Sequence, residues 1–188
     1  MKDTVQREVN EHILAANSIF DLSEDIVNFA QICIDCLKKR GKILIFGNGG
    51  SASDAQHIAA ELVGRYKTER IGLPAIALTT DTSIITSIGN DFGYDKIFSR
   101  QVEAIANKGD VLIGISTSGK SPNVINALKL AKKFNLTPLG MSGRDGGDMD
   151  EICSTNIVIP SDDTARIQEM HILIGHIICS LIDQKFKS

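Results

Sequence analysis

The sequence predicts an α/β fold, a flavodoxin-like three-layer sandwich of about five parallel strands flanked by helices, and three observations carry that expectation. Short runs rich in Ile, Val and Leu recur at Ile43 to Phe46, Ala75 to Leu78, Val111 to Ile115, Thr137 to Met141 and Ile157 to Ile159. Each run is apolar on consecutive positions, which suits a strand covered on both faces. Helical stretches alternate with the runs, and right-handed crossovers then return each strand parallel to the one before.

Length and composition fit one domain over residues 1–188, and the four prolines are too scattered to mark a linker. With 43% apolar and 23% charged residues the chain reads as an ordinary globular protein. Twenty Lys+Arg against 23 Asp+Glu give a net charge of −3, so there is no basic footprint for nucleic acid. Any bound anion must therefore be held by local devices. Uninterrupted apolar runs such as Val111 to Ile115 fall far short of the roughly 20 residues of a membrane span, and Met1-Lys2-Asp3-Thr4 opens no signal peptide. A cytoplasmic protein without membrane or nucleic-acid partners is expected.

The elements follow in order. Val5, Val9, Ile13, Ala16 and Phe20 repeat at helical spacing, and Ser23, followed by Glu24 and Asp25, is expected to N-cap a second helix that ends at Gly41. Residues 1–41 thus form a helical extension before the first strand. Cys33 and Cys36 match C-x-x-C, but they lie inside that second helical pattern and no second pair completes a thiolate site, so they read as inert buried thiols.

In an open parallel sheet, ligands bind beyond the carboxyl ends of the strands, so the loops there are where chemistry is expected. After the first strand comes Gly47-Asn48-Gly49-Gly50-Ser51-Ala52-Ser53-Asp54, whose glycines let backbone approach a ligand at a helix start. It matches a dinucleotide fingerprint poorly, because the next acid, Asp81, lies too far on, and it lacks the Gly-Lys-Ser/Thr of a Walker loop. On the helix that follows, His57 and Glu61 are about 40° and about 6 Å apart, a pair suited to a metal, to acid–base work or to plain solvation. Since this helix starts at the glycine loop, their face is expected to border the same crevice. After the second strand, Gly89-Asn90-Asp91-Phe92-Gly93 reads as a polar turn.

The loop after the third strand, Ser116-Thr117-Ser118-Gly119-Lys120-Ser121-Pro122, holds four hydroxyl residues and a cation before a helix with Ser121 at its N-cap and Pro122 at N1. Hydroxyls, free N–H groups and the positive helix end point to an anion site, above all for a phosphomonoester. The last helix, from about Asp162 to Lys185, is apolar over too much of its circumference for one buried stripe, so with the N-terminal helices it is expected to pair copies of the chain. Its Gln168 and His176 are about 12 Å apart in rise and about 80° in azimuth. For both to hold one ion, the helix must bend, for instance at Gly175, or two chains must share the site. His12 and His171 read as ordinary structural residues.

Phe46-Gly47-Asn48-Gly49-Gly50-Ser51, Ile115-Ser116-Thr117-Ser118-Gly119-Lys120-Ser121 and Arg166-Ile167-Gln168-Glu169-Met170-His171 resemble the sugar isomerase (SIS) domain family. Within it, the chain is similar over nearly its whole length to members that isomerise seven-carbon sugar phosphates. The resemblance implies a cytoplasmic homotetramer with interfacial sites. It would convert D-sedoheptulose 7-phosphate to D-glycero-D-manno-heptose 7-phosphate, the first step towards ADP-heptose for lipopolysaccharide or capsule. It further implies one divalent ion per subunit, typically Zn2+, at His57, Glu61, Gln168 and His176, with Glu61 and His176 as the acid/base pair. Ser116, Thr117, Ser118 and Ser121 match the phosphate cradle, with Lys120 in a supporting electrostatic role. Asn48, Gly49, Gly50, Ser51, Asn90, Asp91, Gln168 and Glu61 match substrate contacts, with Arg65 a further participant. A second branch of the family, non-catalytic adaptors that bind the replication initiator DnaA, shares Asp54 to His57 and Ala165 to His171 but typically lacks the acid and the second histidine that Glu61 and His176 supply here.

Overall fold

Two N-terminal helices, α1 (Lys2–Ser18) and α2 (Ser23–Lys38), joined by a 3-10 turn over Ile19–Leu22, lead into the alternating part of the chain in the computed structural model, which describes residues 1–187. There follow β1 (Ile43–Gly47), α3 (Gly50–Val63), β2 (Ala75–Ala77), α4 (Thr82–Phe92), a 3-10 turn (Tyr94–Lys96), α5 (Ser99–Ile105) and β3 (Val111–Ser116). The chain continues with α6 (Pro122–Phe134), β4 (Thr137–Gly143), the short α7 (Met149–Ile152), β5 (Thr155–Ile159) and α8 (Thr164–Phe186). The five strands form one sheet in the order β2-β1-β3-β4-β5, every pair parallel. This is the doubly wound order whose direction reverses between β1 and β3.

Alternation within the buried strands shows why the apolar runs are continuous. Ile43 and Ile45 of β1 face the layer of α2, α3 and α8, while Leu44 and Phe46 face the layer of α5 and α6. Close approach on the second face needs Gly114, where a side chain would meet Leu128 and Val124 at 2.9 Å. On the first face, Gly175 of α8 lies against Ile58 of α3, where an added Cβ would come within 2.7 Å. That contact explains Gly175 by packing, and α8 is continuous past it. Cys33 is fully buried on α2, and burial raises its thiol and pushes that of Cys36 up to about 11. Neither is a ready thiolate.

Two expectations need correction. Ser23 does not cap α2: the 3-10 turn keeps the backbone helical there, and the hydroxyl donates back to the carbonyl of Phe20 at 2.6 Å. Residues 89–92 are the last turn of α4 and not a loop, because Asp81 caps its start by accepting from the N–H of Ile84, and Gly93, at φ +88°, closes its end. The breadth of apolar residues on α8 is largely spent inside the chain, where Ile167, Met170, Ile174, Ile178 and Ile182 are buried against α2, α3 and the sheet. Among the described residues α8 is the helix long and apolar enough to cross a membrane, but its core packing and its buried Arg166, His171 and Asp183 make it a core helix. Exposed apolar side chains include Leu173 of α8 at 37% and, on α1 and the turn after it, Leu14 at 70% and Phe20 at 79%, while Ala15 and Ala16 of α1 pack against the core.

His171 has a consequence for stability. Its Nε2 lies 3.0 Å from the carbonyl of Ser142, Nδ1 is buried without a partner, and burial pushes its pKa down to about 4. Keeping the ring neutral contributes roughly 3 kcal/mol that is present above pH 6.5 and lost as pH falls towards 4. Asp54 works against this, because burial raises its carboxyl to about 6 and folding becomes less unfavourable for it as pH falls. The expected result is that His171→Gln, compared with the parent by thermal melting at pH 7 and pH 5, loses less stability on acidification. Parallel curves would remove His171 as the cause.

Candidate active site

The reversal between β1 and β3 places the glycine loop beside the seryl loop, and an amide pair ties them together. Asn48 Nδ2 donates to Asn123 Oδ1 at 2.9 Å and Asn123 Nδ2 returns a bond to Asn48 Oδ1 at 2.8 Å. Tyr94 O–H also donates to Asn48 Oδ1, at 3.0 Å, which draws in the segment after α4. Gly49 takes φ +54°, ψ −120°, a conformation that only glycine adopts readily, and so sets the start of α3. Ser51 is buried in the first turn of that helix. Asn90 and Asp91 lie exposed at the end of α4, with Asn90 Nδ2 donating to Asp91 Oδ1 at 2.8 Å.

In the seryl loop the hydroxyls of Ser116 and Ser121 are 2.9 Å apart, and that of Ser118 is 3.4 Å from Ser116. Ser121 holds the N-cap position of α6 with Pro122 next, yet its hydroxyl makes no cap bond and is turned to Ser116. The loop thereby concentrates hydroxyls beside the positive end of a thirteen-residue helix. Thr117 is half-buried there. Lys120 reaches Asp145 at 3.2 Å on the surface and holds that carboxyl below its usual range. Its charge is therefore already partnered within the chain.

His57, Glu61 and His176 form one cluster, each offering a ligand atom within 4.8 Å of the others. His57 Nε2 stands 3.1 Å from His176 Nε2 and 3.2 Å from Glu61 Oε1. Helix geometry explains the meeting: α3 and α8 pack side by side, and the close contact at Ile58 and Gly175 brings the neighbouring histidines together edge to face, at 67° between ring planes. Glu61 keeps 24% of its side-chain exposure, so the cluster is open to solvent. Two nitrogens and a carboxylate oxygen suit a divalent transition ion, and ligands of a tetrahedral zinc at about 2.0–2.1 Å stand about 3.3 Å apart, close to the spacings found. One turn earlier on α3, Asp54 has a buried carboxylate oxygen without a partner.

Gln168 is placed elsewhere. Its amide packs against Gly50, where an added Cβ would strike it at 2.7 Å, and it lies eight positions before His176 on the continuous α8. Along α3 the rise is about 10 Å from Gly50 to His57 and about 16 Å to Glu61. Arg65 is exposed in the turn after α3. Sequence reasoning missed Tyr66, whose ring stacks on His176 at 5.3 Å and 15°, and also Tyr94 and Asn123.

The SIS domain family model matches residues 10–143. The chain is 60% identical over 188 residues to "Phosphoheptose isomerase 1" of Campylobacter jejuni, covering 99% of this chain and all of that one. Among solved structures, phosphoheptose isomerase GmhA from Neisseria gonorrhoeae matches with a TM-score of 0.91 and 46% identity, over 97% of this chain and 98% of that one. A phosphoheptose isomerase from Francisella tularensis matches with the same TM-score at 35% identity, over 98% of each chain.

Proposed function

The chain belongs to the SIS domain family, and we propose on that premise that it is an aldose–ketose isomerase that converts D-sedoheptulose 7-phosphate to D-glycero-D-manno-heptose 7-phosphate. The observation that carries the chemistry is the meeting of Glu61 with His176, a carboxylate and an imidazole borne by different helices. Moving a carbonyl along a sugar needs a base at carbon and a proton carrier at oxygen. Glu61 takes a proton from C1 of the open-chain ketose, exchanges it with solvent at the enediol stage and delivers a proton at C2, while His176 moves protons at the two oxygens. Ser116, Thr117, Ser118 and Ser121 hold the 7-phosphate, so binding energy from the far end orients the reacting end. Asn48, Gly49, Gly50, Ser51, Asn90, Asp91 and Arg65 serve the carbon chain.

His57, Glu61 and His176 would hold a divalent ion such as zinc, with Gln168 as the fourth ligand. When bound, such an ion supplies Lewis-acid polarisation of the substrate oxygens. The distance of Gln168 from His176 on an unbroken α8 and the exposed apolar side chains of α1 both favour sites shared between copies in a homotetramer. The whole chain is read as one domain, with residues 1–41 used in assembly. A cytoplasmic enzyme at the start of nucleotide-activated heptose synthesis for surface polysaccharide fits the names of the relatives. The adaptor reading is not favoured, since the acid and the second histidine that such adaptors lack are both here and lie together.

Incubation of the purified protein with sedoheptulose 7-phosphate in D2O, followed by NMR, tests this reading. A new aldose with deuterium at C2 is expected. An unchanged ketose would defeat the assignment, and an aldose free of deuterium would defeat the solvent-exchanging enediol step.

A further inference from the structure

We infer that Arg70 is a positioning residue for this reaction, holding Glu61 and the turn after α3 in place against the helix that carries His176; the inference rests on the acid/base reading above. In the sequence Lys67-Thr68-Glu69-Arg70 looks like a solvated run of charge. In the fold the Arg70 side chain is 0% exposed and pairs with Asp183, 3% exposed, at 2.7 Å.

Every edge of the guanidinium is used. Nε donates to Asp183 Oδ1, Nη2 donates to the carbonyl of Glu61 at 2.9 Å, and Nη1 donates to the carbonyls of Leu62 and Ile71, both at 2.9 Å. The other oxygen of Asp183 accepts the N–H groups of Lys67 and Thr68 at 2.9 Å each. A helix end leaves carbonyls without partners and favours a cation there, and Arg70 meets both needs at the end of α3. What distinguishes it from an ordinary cap is its reach. One of its acceptors is the backbone of Glu61 itself, and the turn it closes carries Tyr66, whose ring stacks on His176. Its anchor, Asp183, lies on α8 two turns beyond His176. One ion pair therefore fixes both partners of the cluster to a single frame.

A lysine cannot replace this fork, because an ammonium lacks the planar set of donors. In Arg70→Lys, turnover is expected to fall by about 10–100-fold, since displacement of a catalytic group by about 1 Å costs on that order. KM for sedoheptulose 7-phosphate and inhibition by inorganic phosphate, a probe of the seryl loop, are expected to stay within about threefold, because that loop touches none of these groups. Asp183→Asn provides a second variant with the same expectation should Arg70→Lys fail to fold.

The control is Asp110→Asn, which breaks the other buried pair, with Lys42, at the amino ends of β1 and β3. It should lower the melting temperature and leave turnover of the folded protein unchanged. Parent-like turnover in the folded Arg70 and Asp183 variants would overturn the inference. So would losses that fall on KM and phosphate inhibition, or that Asp110→Asn matches at equal destabilisation. Activity retained by Glu61→Gln would instead defeat the acid/base reading, so the two failures are distinguishable.

Discussion

Glu61→Gln is expected to lower turnover by about 10²–10⁴-fold with the fold intact, and His176→Ala to do the same, because each removes a proton-transfer partner. Gln matches Glu in shape, and the partly exposed Glu61 side chain leaves no buried polar atom stranded when its charge is removed. A folding defect is therefore a poor explanation for lost activity. His57 stays beside the new amide in the Glu61→Gln variant, so residual activity would report what the cluster does without a carboxylate. If the two groups act in one proton-transfer sequence, the double variant should be little worse than the poorer single one. Steady-state rates with sedoheptulose 7-phosphate, alongside melting curves of the same preparations, decide the matter. Near-parental turnover in either single variant would discard its role.

The sheet was legible because both of its faces are covered, so each strand writes a run of apolar residues into the chain, as at Leu112 and Ile113 on opposite sides of β3. Helix ends were less legible. Gly89 to Gly93 has turn composition whether it closes a loop or a helix, and only the cap at Asp81 and the positive φ of Gly93 decide for the helix. At the site, the two loops declared themselves through glycines and hydroxyls in local succession. Residues that act across the fold left no local trace: Asn123 meets Asn48 from 75 positions away, and Arg70 meets Asp183 from 113. Their role exists only once α3, α6 and α8 have packed. The offset of Gln168 from His176 was legible from helical rise alone, and the need for glycine at position 175 was not, since it comes from the contact with Ile58.

At the opposite end of the substrate, Gly119→Ala should be the most damaging single methyl group in the protein. Gly119 sits at φ +63°, its N–H closing the turn onto the carbonyl of Ser116, and an added Cβ would lie 2.0 Å from the carbonyl oxygen of Gly146 and 2.9 Å from the nitrogen of Gly147. These are backbone atoms and cannot rotate away. Left-handed backbone costs an alanine about 1–2 kcal/mol, and overpacking adds about 1–3 kcal/mol. For a chain of this size the sum lowers the melting temperature by roughly 5–20 °C. The relief available is for the seryl loop to move, which spreads the hydroxyls of Ser116, Ser118 and Ser121. KM for the sugar phosphate should then rise by about 10–100-fold, inhibition by inorganic phosphate should weaken in step, and turnover should fall as well, since energy from the anchored end no longer orients the reacting one. Gly109→Ala separates strain from displacement, because Gly109 also has a positive φ, +91°, but has open space around its Cβ position. That variant should lose stability alone. If Gly119→Ala kept the parental KM while the loop was displaced, the phosphate would have to be held by some other part of the chain.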